Sequence, residues 1–147
     1  MNRSDFSFIH TLRVRWAEVD RQDVVFNPHY FMYFDTTVAE YWRAIEFAYP
    51  RDLVERFGTD MFAVKATADY HGSAAYEDEI EVGCRVGRFG RSSMQILFGI
   101  WRGTDHLTSG ELIYVNVDVK TRKSTPWPQL FIDKVMRYER TPPELPK

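Results

Sequence analysis

Residues 20–30, Asp-Arg-Gln-Asp-Val-Val-Phe-Asn-Pro-His-Tyr, combine an acid with the start of a helix. Before them, polar residues alternate with the apolar residues Leu12, Val14 and Trp16. This alternation predicts a half-buried strand, and apolar residues at helical spacing predict a helix after the segment. The connecting loop would place the Asp20 carboxylate beside a helix N-terminus, where free backbone N–H groups stabilise developing negative charge. Such an arrangement is suited to acyl transfer or hydrolysis.

Composition restricts the classes of protein that the chain can belong to. Its 147 residues, 44% of them apolar, are enough for one domain with a core. A net charge of −2 argues against a nucleic-acid or anionic-membrane partner. The single cysteine, Cys84, excludes an internal disulfide and suits the cytoplasm, and we see neither a signal peptide nor a membrane span. The four histidines lack the spacing of metal ligands, so we expect no metal site.

The elements around this segment predict an α+β fold. A long helix over residues 28–47 would have Asn27 as N-cap and Pro28 in its first turn. A short helix is predicted over residues 52–57 and another over residues 128–140, with residues 141–147 as a mobile tail of the single domain. Four strands follow from period-2 alternation, centred on residues 62–70, 80–86, 94–100 and 113–119, and the turns between them imply antiparallel pairing.

The long helix is apolar around most of its circumference, which suggests that the antiparallel sheet wraps around it. Such a sheet leaves open edges and one exposed face. We therefore expect a partner subunit to cover them, in a homodimer or homotetramer.

The chain resembles the hotdog-fold acyl-CoA thioesterases of the 4-hydroxybenzoyl-CoA thioesterase type, over roughly residues 13–128. Their motif is Asp-x-x-Gly-x-x-x-(Asn/His/Tyr)-x-x-Tyr, and Asp20, Asn27 and Tyr30 stand at its first, eighth and eleventh positions. Residues 75–82 and the turn Arg88-Phe-Gly-Arg-Ser-Ser93 are similar to two further family segments. Asp23 stands where the family usually has glycine, which implies either a different loop backbone or an added charge.

The resemblance implies roles for individual residues. Asp20 would be nucleophile or general base, the backbone N–H at Asn27 would polarise the thioester carbonyl, and Tyr30 would pack near the acyl pocket. The phosphates of CoA would bind the basic, hydroxyl-bearing turn of Arg88, Arg91, Ser92 and Ser93. CoA would enter as part of the substrate, with no separate cofactor, and the active sites would lie at a dimer interface.

Simpler interpretations and other functions compete with this one. Asp20 could merely cap a turn, and the basic turn could merely be solvated. One alternative is a non-catalytic acyl-CoA-binding or assembly module. Another is a hotdog hydratase, because Asn27-Pro28-His29 is similar to that group's Asn-Pro-x-His, although the spacer is missing and Val25 replaces an expected aspartate.

Overall fold

The computed structural model describes residues 1–147 and contains one five-stranded antiparallel sheet with a long helix on its inner face. The strand order is β1-β3-β4-β5-β2, and the fold is the predicted α+β hotdog. The strands are β1 (Phe8–Arg13), β2 (Thr59–Tyr70), β3 (Glu79–Phe89), β4 (Ser93–Arg102) and β5 (Asp105–Asp118). The helices are α1 (His29–Ala44), α2 (Arg51–Phe57) and α3 (Gln129–Tyr138), with short 3₁₀ helices at Arg3–Asp5 and Trp16–Glu18.

The core lies between α1 and the inner face of the sheet. The alternation predicted for β3 and β4 is confirmed, since both strands bury every second side chain against α1: Ile80, Val82, Cys84 and Val86, and Met94, Ile96, Phe98 and Ile100. Phe34 of α1 stacks on Phe98 with ring centroids 4.5 Å apart. A Cβ atom at Gly110 would lie 2.3 Å from the Phe34 ring, so only glycine admits this close approach of helix and sheet.

Two predicted elements differ from the structure at their ends. The first strand stops at Arg13, and Trp16 lies in a 3₁₀ helix with 72% of its surface exposed. The Val14 N–H still bonds to Asp78 O in line with the β1–β3 register, and the chain then turns into the 3₁₀ helix. The long helix covers His29–Ala44 rather than residues 28–47, because Glu46 has a positive φ of 59° that ends it.

The C-terminal segment closes one edge of the sheet. β1 pairs with β3 only as far as Cys84, and the remaining edge of β3 is met by the chain after α3. Glu144 donates its N–H to Gly87 O at 3.0 Å and accepts the Phe89 N–H at 2.8 Å. The stretch 141–147, predicted to be a mobile tail, is therefore attached to the sheet at Glu144.

The opposite edge, formed by β2, has no such cover. β2 pairs with β5 on one side only, and nearly all of residues 62–70 are exposed. Val64, the extra residue of a bulge, is 62% exposed, and Phe62 and Tyr70 are also large exposed apolar side chains. No helix of the protein is both long and apolar enough to cross a membrane.

Candidate active site

A cavity of about 200 Å³ lies where the loop after β1 meets the start of α1. Three residues singled out in the sequence, Asp20, Asn27 and Tyr30, line it together. The remaining lining residues are Gln22, Val24, Val25, Tyr70, Gly72 and Ser73. The fold thus brings the end of β2 against the loop that carries the acid.

The loop around Asp20 is held by its own hydrogen bonds. The Asp20 N–H donates to Val24 O at 3.0 Å, and its Oδ1 accepts the Gln22 N–H at 2.7 Å. Asp23 has a φ of 62°, in the left-handed region that glycine favours and that aspartate tolerates better than most residues. Asp23 therefore keeps the backbone conformation that glycine readily adopts and adds an exposed charge to the loop.

The helix start differs from the prediction in one respect. Pro28, not Asn27, occupies the N-cap position, and the Asn27 side chain makes no hydrogen bond. The Asn27 carbonyl oxygen accepts the Tyr70 hydroxyl at 2.9 Å and the Tyr30 N–H at 3.3 Å. The Asn27 N–H donates no hydrogen bond within the chain, and Pro28 has no N–H. Asn27, which lines the cavity, thus has its carbonyl anchored and a backbone N–H that donates to no atom of the chain.

Tyr30 connects the helix to the loop before β3. Its hydroxyl accepts the Ala74 N–H at 3.0 Å, and its ring is buried edge-on against Tyr33 and Tyr70. Burial raises the pKa of Tyr30 above the ordinary tyrosine value, which keeps the phenol neutral. The structure therefore gives Tyr30 a packing and hydrogen-bonding position in the cavity wall.

The basic turn lies at the opposite end of the sheet from this cavity. β3 starts just after the loop that carries Ser73 and ends at the turn with Arg88, Arg91, Ser92 and Ser93. The two lie at opposite ends of this strand, whose 11 residues span ten intervals of about 3.3 Å, or roughly 33 Å. Arg88 and Arg91 are exposed, and Ser93 O accepts the Trp127 indole N–H at 2.9 Å. One protomer does not bring this turn to Asp20.

Sequence reasoning missed the wall contributed by the end of β2. Tyr70, Gly72 and Ser73 line the cavity, and Gly72 donates its N–H to Leu107 O at 3.1 Å. The available signal was the tyrosine at a strand end followed by His-Gly-Ser, a break in the alternation of β2. That signal marks a turn, but it does not reveal which loop the turn faces.

The profile of the Thioesterase superfamily matches residues 22–109, more than half of the chain, and begins two residues after Asp20. The chain belongs to the Thioesterase superfamily. This membership identifies it as a thioester hydrolase and confirms the resemblance seen in the sequence. A protein of Aquifex aeolicus, whose name suggests an esterase, is 25% identical over 95 residues, which cover 65% of this chain and 73% of the relative.

Solved structures share the fold at low sequence identity. A 1,4-dihydroxy-2-naphthoyl-CoA thioesterase from Synechocystis matches with a TM-score of 0.80 and 15% identity, over 87% of this chain and 94% of that one. A Staphylococcus aureus protein crystallised in complex with CoA matches with a TM-score of 0.82 and 15% identity, over 92% and 85% of the two chains. A Pseudomonas aeruginosa protein matches at 0.78 and 23% identity, over 93% and 94%.

Proposed function

We propose that this superfamily member hydrolyses an acyl-CoA to the free acid and CoA at the Asp20 cavity. The observation that carries the proposal is that Asp20 and Asn27 line one cavity, and that the backbone N–H of Asn27 donates no hydrogen bond within the chain. A thioester needs both, because attack at its carbonyl carbon turns the carbonyl oxygen into an oxyanion. The CoA bound to the Staphylococcus aureus fold relative supports the same class of substrate.

The Asp20 carboxylate can act in either of two ways. As a nucleophile it attacks the carbonyl carbon, the C–S bond breaks with CoA leaving as thiolate, and water then hydrolyses the mixed anhydride. As a general base it takes a proton from a water molecule that attacks the carbonyl carbon directly, and CoA again leaves as thiolate. In both routes the Asn27 N–H would donate to the carbonyl oxygen as negative charge develops there.

The role of Asn27 predicts different results for two substitutions at one position. Asn27→Ala should keep most activity, because the side chain makes no hydrogen bond and the backbone N–H remains. Asn27→Pro removes that N–H without breaking an internal hydrogen bond and should lower kcat by about 100-fold or more. Steady-state kinetics with circular dichroism of both variants checks this. Equal activities in two folded variants would exclude the oxyanion role.

A homodimer formed through β2 would complete the site. Two antiparallel β2 edges would place the Tyr70 end of one strand beside the Thr59 end of the other. In each protomer Phe62 pairs with Val115, which pairs with Ser93. The partner's basic turn would then lie two strands from its own β2, roughly 10 Å away, at the same end of the combined sheet as the Asp20 cavity. Dimerisation would thus bring together a cavity and a basic turn that lie at opposite ends of the sheet in one protomer.

The basic turn should act in binding CoA rather than in the chemical step. Arg91→Ala should raise KM for acyl-CoA by about tenfold with kcat nearly unchanged, because a phosphate contact is equally strong in ground and transition states. An acyl-pantetheine substrate, which lacks the nucleotide, provides the comparison and should show no such change. If both substrates lose affinity alike, the turn has a structural role.

A panel of acyl-CoAs, from short to long and aromatic, tests the proposed activity directly. Release of free thiol supports thioester hydrolysis and identifies the acyl group. Addition of water to an enoyl-CoA without thiol release would instead indicate a hydratase. Binding with no turnover of any member would indicate a non-catalytic acyl-CoA-binding module.

A further inference from the structure

Glu18 is a buried carboxylate that lies two residues before Asp20 and outside the cavity. Only 3% of its surface is exposed. Its Oε1 accepts the Tyr33 hydroxyl at 2.9 Å and the Arg15 N–H at 2.8 Å, and its Oε2 accepts Arg15 Nε at 2.8 Å. Both oxygens are therefore hydrogen-bonded, as a buried carboxylate requires.

The charge of Glu18 is maintained by these partners. Burial acts to raise the pKa of the Glu18 carboxyl, but hydrogen bonds from the Arg15 backbone, the Arg15 guanidinium and the Tyr33 hydroxyl outweigh it and lower that pKa. Burial and the bond to Glu18 raise the pKa of Tyr33 far above its ordinary value, so the phenol stays a donor. Glu18 is thus an anion and Tyr33 a neutral donor at neutral pH.

Glu18 contacts both segments that supply the candidate catalytic groups, the loop after β1 and the start of α1. Through Tyr33 its carboxylate contacts the second turn of α1, and this is the side-chain hydrogen bond that joins α1 to the loop after β1. Its backbone carbonyl accepts the Phe26 N–H at 2.9 Å, directly before Asn27. Asp20 lies two residues after Glu18 in the same loop. Glu18 is therefore hydrogen-bonded both to the residue before Asn27 and to the helix after it.

We propose that Glu18, acting through Tyr33, is a positioning residue that sets the Asp20 carboxylate relative to the Asn27 N–H. The inference rests on the proposed function, since it assigns Glu18 an effect on the same reaction. It predicts that loosening the Glu18–Tyr33 contact lowers the rate of the chemical step and leaves acyl-CoA binding intact. Small misplacements of reacting groups are costly in rate, about 100-fold for 1 Å.

The test compares Glu18→Gln, Tyr33→Phe and the double variant, with Glu40→Gln as control. Glu40 is a carboxylate of α1 whose partner is Arg43 and which does not contact the loop. Both single variants should lower kcat by at least about tenfold with KM within about twofold of wild type, and Glu40→Gln should match wild type. The double variant should be no slower than the slower single variant, because both changes weaken the same contact: glutamine removes the charge of the acceptor and phenylalanine removes the donor.

Several results would overturn the proposal. They are an unchanged kcat in the two single variants, a rise in KM alone, or losses that multiply in the double variant. If Tyr33→Phe unfolds below the temperature of the measurement, the kcat of Glu18→Gln decides. Glutamine keeps the shape of the glutamate side chain and an acceptor oxygen. A fully active Asp20→Asn protein would instead remove the proposed function itself, so the two failures are distinguishable.

Discussion

Asp20→Asn should reduce acyl-CoA hydrolysis by at least about 100-fold while the protein remains folded and assembled. The substitution removes the negative charge and the basicity that either route requires. It keeps the Oδ1 acceptor for the Gln22 N–H, so the loop retains its hydrogen bond. Initial rates of thiol release, measured with the best substrate of the acyl-CoA panel, provide the comparison.

Asp23→Asn is the matched control for this substitution. It makes the same chemical change in the same loop, at an exposed residue that does not line the cavity. Its φ of 62° also suits asparagine, so the loop should not be strained. We expect near-wild-type rates for Asp23→Asn. Wild-type turnover by a folded Asp20→Asn protein would contradict the catalytic assignment.

Val64→Lys should convert the proposed dimer into monomers that bind acyl-CoA much more weakly. Lysine at this exposed position is fully solvated in a monomer, but pairing of two β2 edges would bury its ammonium group without a partner. In the proposed dimer the whole basic turn reaches the Asp20 cavity from the second protomer, so its loss should raise KM for acyl-CoA at least as much as Arg91→Ala does. Light scattering at micromolar concentration reports the mass, and thiol release reports the activity.

Thr11→Lys adds the same charge at an exposed residue of β1, the edge strand at the opposite side of the sheet from β2, and should leave mass and activity unchanged. The wild-type protein should also become more stable to heat as its concentration rises, since association stabilises the folded state. A monomeric Val64→Lys protein with wild-type kcat and KM would show that one chain contains the complete site.

The sequence predicted the elements whose pattern is set by local physics. The alternation in β3 and β4 reflects one buried face of each strand. The buried face of β5 is harder to predict from the sequence, because Ile113 and Val115 alternate on the outer face while Leu112 and Asn116 face the core. Apolar residues occur on both faces of this strand, and only its register with β4, where Ile96 opposes Leu112, decides which face is buried.

The candidate site was predictable where it follows the chain and not where it depends on contacts between distant segments. The acid, the helix start and Tyr30 lie within 11 residues and could be assigned together. The anchoring of the Asn27 carbonyl by Tyr70, 43 residues away, required the fold. The same holds for Glu18, whose burial depends on Tyr33 in a separate element.

A mixed dimer of one Asp20→Asn protomer and one Arg91→Ala protomer tests the proposed shared site most directly. If the carboxylate and the basic turn come from different protomers, one site carries both substitutions and the other carries neither. The purified mixed dimer should then show about half the wild-type kcat per dimer with the wild-type KM for acyl-CoA. If each site is built within one chain, the only active site carries Arg91→Ala. A KM equal to that of the Arg91→Ala homodimer would contradict the account.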